Sequence, residues 1–196
     1  MKVTVRWQRE GDGHELLRTT TAEVTGASPT AVELVQVCAR CGGPHGQPRV
    51  RIEGEQGPAV SLTHAGGFVA VAVATAPVGI DLEPLDRSHA DIEAVLLSPA
   101  EQRAWADVER DERPSALLRT WVRKEALLKA IGEGLAVDPR LVSISRADQA
   151  PTLTGWQLDG HTPSIRLADL DLGPLVFATV AVLTATPLAV EVSEVR

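Results

Sequence analysis

Five charged residues in two short segments have the types and spacing to do chemistry together. VGIDLEPL places Asp81 and Glu83 two apart at the end of an apolar run, and WVRKEALLKA places Lys124, Glu125 and Lys129 within another. Side chains alternate across a strand, so Asp81 and Glu83 leave on one face. Neighbouring carboxylates repel each other; such a pair is either solvated at a strand end or shares a cation. A hard cation such as Mg²⁺ takes oxygen ligands, typically one or two carboxylates with substrate phosphates and water. A competing pair, Asp169 and Asp171 in ADLDLG, precedes Gly173 and Pro174 and reads as a turn without a ligand.

At about 100° per residue of helix, Leu117, Leu118, Trp121, Leu128 and Ile131 share a broad apolar face, with Arg119, Arg123, Ala126 and Ala130 on the other side. Glu125 falls inside the apolar arc and Lys124 on its other flank. Lys129 lies at the edge, one ridge position from Glu125. These are two of the three lysines in a chain that otherwise relies on arginine. A charged side chain turned inward without a partner is costly. Either the three form ion pairs with the lysine stems reaching outward, or they serve a charged ligand. In the second case Glu125 is a third carboxylate for the cation of Asp81 and Glu83, and the lysines neutralise phosphate oxygens as compact point charges. That set suits a pyrophosphate-containing substrate, because phosphoryl transfer needs mainly positioning and charge neutralisation.

The elements that must position these groups follow from pattern. KVTVRW alternates as a strand, HELLRTTTAEVTG is a helix ended by Gly26, and AVELVQV and PRVRIEG are strands about a GGPHGQP turn. AVSLT, FVAVAVA and VGIDLE are three further strands. Ser98, Pro99 and Glu101 predict a helix start with a capping box. A second helix runs from about Pro114 to Ile131, ended by Gly132 and Gly134. LVSIS, GWQLD and LVFATVAVL close the chain as strands. Strands, then helices, then strands predict an α+β fold rather than an alternating parallel sheet. The glycine fingerprints of dinucleotide and P-loop sites are missing.

The chain has 196 residues, a net charge of −7 and no Tyr, which predicts one domain or two halves sharing a core of small branched side chains. The negative balance argues against general binding to nucleic acid or an anionic membrane. With no signal segment or membrane-spanning run in view, a cytoplasmic location is expected. Cys38 and Cys41 in CARCGGPHG, with His45, are either part of a zinc site or a tight turn with two reduced thiols.

Gly79, Asp81 and Glu83, followed some forty residues later by Trp121, Lys124, Glu125 and Lys129, closely resemble the two-part signature of 4′-phosphopantetheinyl transferases. Upstream, Thr63 and His64 resemble the family's Ser-His segment. HGQP resembles its Gly-Lys-Pro segment, with Gln47 in the lysine position before Pro48. The length is similar to that of the monomeric, Sfp-like branch.

The resemblance implies two similar α/β subdomains about a pseudo-twofold axis, with coenzyme A in the cleft between them. The expected halves are residues 1–77 and 78–196, the second also docking the carrier. The implied activity moves phosphopantetheine from coenzyme A to a serine of an acyl or peptidyl carrier protein, releasing adenosine 3′,5′-bisphosphate. By the same resemblance Asp81, Glu83 and Glu125 hold Mg²⁺, and Glu125 or a metal-bound water takes the serine proton. Lys129 neutralises developing charge and Lys124 holds phosphate, while Gln47, Pro48, Thr63 and His64 contact coenzyme A. The segment from Leu96 to Leu118 is the expected carrier surface. Competing readings are a Mg²⁺-dependent nucleotide pyrophosphate hydrolase and a non-catalytic coenzyme A- or carrier-binding module.

Overall fold

The structure, a computed structural model, describes residues 1–37, 41–44, 46–86, 92–158 and 160–195. It has the mixed α+β character that the order of elements predicts. In the first half, strand β1 (Lys2–Arg9) is followed by helix α1 (Gly13–Thr25), then β2 (Val32–Val35), β3 (Arg49–Ile52), β4 (Glu55–Gln56), β5 (Ala59–Ala65) and β6 (Phe68–Ala74). Strand β7 (Val78–Pro84) opens the second half. Helices α2 (Glu93–Leu96), α3 (Pro99–Trp105) and α4 (Arg113–Ala130) follow, then β8 (Val142–Ile144), β9 (Leu153–Trp156), β10 (Ile165–Leu170), β11 (Val176–Leu183) and β12 (Ala189–Glu194).

Two sheets carry the fold. One has the order β12-β1-β6-β5 and the other β10-β11-β7; β2-β3-β4 and β8-β9 form smaller ones. All pairings are antiparallel except β1 with β12. FVAVAVA is buried on both faces because two layers use it. Val69, Val71 and Val73 pack with Leu16 and Leu17 of α1. Phe68, Ala70, Ala72 and Ala74 pack with Val78, Ile80 and Leu82 of β7 and Val176, Ala178, Val180 and Val182 of β11. The small alternating side chains let the sheets close on a dry interface. Where β5 and β7 run together, the Ile80 amide donates to the Ser61 hydroxyl at 3.1 Å, a side chain replacing a ladder partner.

The helix ends follow local chemistry. Asp12 caps α1 by accepting from the amides of His14 and Glu15, and Gly26 ends it with φ of 74°. Ser98 and Glu101 form the full capping box of α3, with Pro99 in its first turn.

Three expectations change. ADLDLG is not a plain turn: Asp169 lies inside β10, opposite Thr179 of β11. The C-terminal strand β12 was not foreseen; it pairs in parallel with β1. The helix α4 is not two-sided. Arg123, Ala126 and Ala130 are as buried as Leu128, because β7 and β11 cover one side while α3, β8 and the residues after β8 cover the rest.

Candidate active site

Gly79, Asp81 and Glu83 alternate outward from β7 on the face toward α4, opposite the core residues Val78, Ile80 and Leu82. A β-carbon at residue 79 would overlap the Ala126 carbonyl oxygen and the Ala130 amide nitrogen. The absence of a side chain there therefore sets how closely the helix lies on the strand. With small residues at 126 and 130, the neighbouring ridge of α4 brings Glu125 and Lys129 toward the strand carboxylates.

The Lys129 ammonium donates to Asp81 Oδ1 at 2.6 Å and to the Ile80 carbonyl at 3.2 Å. Thr63, from β5 in the first sheet, donates to the same Asp81 oxygen at 3.0 Å. Asp81 Oδ2 is buried with no hydrogen-bond partner, a costly state for a carboxylate oxygen. Asp81, Glu83 and Glu125 are all buried, at 5%, 8% and 7% exposure. Burial, then the charges of Asp81 and Glu83 against the pull of Lys129, pushes the Glu125 carboxyl up to about 7. Burial also raises Asp81, outweighing the opposing pull of Lys129 and Thr63.

These features fit a hard divalent cation. Three buried carboxylates with one cationic side chain leave excess negative charge, and Asp81 Oδ2 is a ready oxygen ligand without a protein donor. Among the described residues, no three acidic, His or Cys side chains are already gathered closely enough to hold an ion. The fit therefore rests on the donor set and on the orphaned Asp81 Oδ2, not on a preassembled ligand cluster.

Lys124 is elsewhere. Its side chain is 1% exposed, and its ammonium donates to the Leu96 carbonyl at 2.7 Å, Glu101 Oε2 at 2.6 Å and the Pro139 carbonyl at 3.0 Å. An ammonium has three donors, so in this structure all of them are taken by protein oxygens, where the resemblance implied a phosphate contact. Lys124 and Glu125 are successive helix residues and so diverge by about 100°.

The upstream residues divide. Thr63 joins the acidic group directly. His64, the next residue along β5, is exposed on the opposite face and lines a hollow with His14, Asp12 and Gly13 at the start of α1. Gln47 donates to the Lys129 carbonyl at 3.2 Å, tying the loop before β3 to the end of α4. Pro48 lines a hollow with the exposed Arg49 and Arg51. Cys38 and His45 lie outside the described residues, and Cys41 is exposed.

The apolar residues of the expected carrier surface are internal. Leu96, Leu97, Trp105 and Leu117 form a buried cluster. A groove of about 750 Å³ does open beside them, between α3, α4 and β8, with Asp111, Glu112 and Asp148 among its polar lining residues. It lies at Ala116, Arg119 and Thr120 of α4, away from the ridge of Glu125 and Lys129.

Two structural contributors were missed. Arg123 reads as an outward residue in projection, yet its guanidinium is clamped by Asp169 and several carbonyls. Glu101 was recognised only as a cap. The available signal was a buried lysine needing a partner and a capping glutamate with a second oxygen to spare.

A family profile described as the 4′-phosphopantetheinyl transferase superfamily matches residues 77–180, just over half of the chain. The chain belongs to that superfamily. It is also similar to a 4′-phosphopantetheinyl transferase of Bacillus subtilis, 27% identical over 166 residues, which span 81% of this chain and 67% of that protein. The matched segment contains β7 and α4, with Asp81, Glu83, Glu125 and Lys129, while Thr63 lies outside it.

Proposed function

We propose that the protein transfers the 4′-phosphopantetheine arm of coenzyme A to a serine of an acyl or peptidyl carrier protein, with Mg²⁺ as cofactor. The observation that carries this reading is the orphaned Asp81 Oδ2, buried beside Glu83 and Glu125 with Lys129 on the other oxygen. It lies within the segment that matches the superfamily.

Asp81, Glu83 and Glu125 are the residues that would hold Mg²⁺. The metal supplies neutralisation of the pyrophosphate oxygens when bound. Glu125 accepts the proton of the carrier serine as general base. The serine oxygen forms its bond to the phosphorus of phosphopantetheine as the bond to adenosine 3′,5′-bisphosphate breaks. Lys129 spends two donors on Asp81 and Ile80 and turns the third to the departing phosphate oxygen. Buried surroundings exclude competing water and strengthen each of these interactions.

Coenzyme A lies where β5 meets β7, in a cleft between two related halves. Thr63 and His64 contribute from β5, and Gln47 and Pro48 from the loop before β3. Gln47 brings no charge, so Arg49 and Arg51 supply the cation on that side. The enzyme acts as a monomer of the Sfp-like kind.

Mass spectrometry of an apo carrier protein incubated with coenzyme A and Mg²⁺ tests the proposal. A gain of the phosphopantetheine arm on serine supports it. Adenosine 3′,5′-bisphosphate release without carrier modification replaces it with the hydrolase reading, and binding without either reaction with a non-catalytic module.

A further inference from the structure

We infer that Glu101 is a positioning residue for this site: through Lys124 it fixes the rotation of α4, and with it the placement of Glu125 and Lys129 over Asp81. The inference rests on the transfer reading but involves none of the metal-site residues directly.

On its strand side, the side-chain ties of α4 to β7 are those of Lys129 to Asp81 and Ile80, the very contacts that must be placed. Gly79 meets the backbone at Ala126 and Ala130, a smooth contact with no side chain to interlock. The opposite flank has the reverse character. Lys124 is completely enclosed, and its three donors have three fixed acceptors on different segments. Its partner Glu101 is equally committed. Oε2 also accepts from the Ser98 amide at 2.7 Å, and Oε1 accepts from the Ile144 amide at 2.9 Å. One carboxylate thus ties α3, α4 and β8, and a hydroxyl contact of 2.7 Å between Ser98 and Ser143 reinforces the junction.

A turn of α4 by about 20° would move a group about 6 Å from its axis by roughly 2 Å. That is enough to break the 2.6 Å contact of Lys129 with Asp81. Displacements of about 1 Å at a reacting centre can cost on the order of 100-fold in rate. A buried ion pair contributes little net stability compared with apolar residues of similar volume. What it contributes here, beside the Arg123 clamp on the neighbouring face of α4, is an angular setting that an apolar contact of the same size would not impose.

The test compares wild type with Glu101→Gln, Lys124→Met and the double variant, which removes both charges while keeping similar volumes. Three quantities are read: the thermal melt, Mn²⁺ affinity by electron paramagnetic resonance, and kcat and KM for coenzyme A with an apo carrier. The double variant is expected to melt cooperatively, with kcat down at least ~30-fold, Mn²⁺ affinity down about 10-fold and KM for coenzyme A within about 3-fold. Lys124→Arg keeps the charge without the compact three-way geometry and is expected to show the same loss.

Wild-type kcat and Mn²⁺ affinity in the double variant would overturn the inference. Loss of its cooperative melt would overturn it too, in favour of a purely structural pair. If wild type transfers nothing, the transfer reading fails separately. Mn²⁺ affinity then decides: an unchanged value overturns positioning, and a fall in a folded variant upholds it.

Discussion

Gly79 of β7 lies directly against the backbone of α4 at Ala126, so close that the helix leaves no room for a β-carbon. This contact sets the height of the helix above the strand and brings Lys129 within 2.6 Å of Asp81. Gly79→Ala must push helix and strand apart against backbone atoms, which cannot rotate away. Overpacking of this kind costs about 1–3 kcal/mol or more. Urea denaturation should show that loss, and transfer should fall by more than the folded fraction does. Wild-type activity in Gly79→Ala would mean the separation is not critical.

Glu125→Gln is expected to separate stability from activity. Transfer should fall at least ~100-fold with loss of a metal ligand and proton acceptor, while the metal-free protein becomes more stable at alkaline pH. The folded pKa of about 7 lies above the ordinary 4.5, so the folded state binds more protons between these values. Stability therefore falls as pH rises through that window, by roughly 3 kcal/mol once both states are ionised. Glutamine removes that loss. Urea titrations of both proteins in chelator at pH 5 and pH 8 check it: the variant's relative gain should appear only at the higher pH.

Metal binding should depend on pH in the opposite sense. Burial raises Asp81 and Glu125, so protons compete with Mg²⁺ for their oxygens. Calorimetric Mg²⁺ affinity should rise from pH 6 to pH 8, with protons released on binding. Asp81→Asn should weaken Mg²⁺ binding at least ~10-fold, yet retain most of its thermal stability, because an amide oxygen can still accept from Lys129 and Thr63. An unaltered Mg²⁺ affinity in Asp81→Asn would remove Asp81 from the metal site.

Much of this arrangement was legible in the order of residues. The alternation of VGIDLE puts both acids on one face, Gly26 ends a helix, and Ser98 with Glu101 starts another. Lys124 was misplaced because a helical projection gives an angle but not the neighbour found there; its partner Glu101 is 23 residues away in sequence. Arg123 was misplaced because arginine usually faces water, and only the fold brings Asp169 and the carbonyls after β8 to meet it. Strand β12 escaped because AVEVSE is largely exposed and gains its place through parallel pairing with β1, a long-range contact with little local signal.

The clamp on Arg123 leads to the last prediction. Its guanidinium donates to both oxygens of Asp169, at 3.1 and 2.6 Å, and to the carbonyls of Arg146 and Gln149, each at 2.8 Å. At 1% side-chain exposure it is effectively inside the protein. Replacing it by Leu leaves Asp169 without its main partner and strips the turn after β8 of its donors. Breaking a buried pair on one side costs about 3–5 kcal/mol, and the turn carries several further acceptors. Burial tends to raise Asp169, but Arg123, Thr179 and Arg119 outweigh it and hold its carboxyl below the ordinary 3.8. A depressed carboxyl contributes stability that is present above its unfolded value and lost as pH falls through the folded one. The stability gap between wild type and Arg123→Leu should therefore be full near neutral pH and narrow only below about pH 4. Urea denaturation at pH 7, 4 and 3 measures it. A gap that is small at pH 7, or constant down to pH 3, would show that the Arg123–Asp169 pair does not hold this part of the fold.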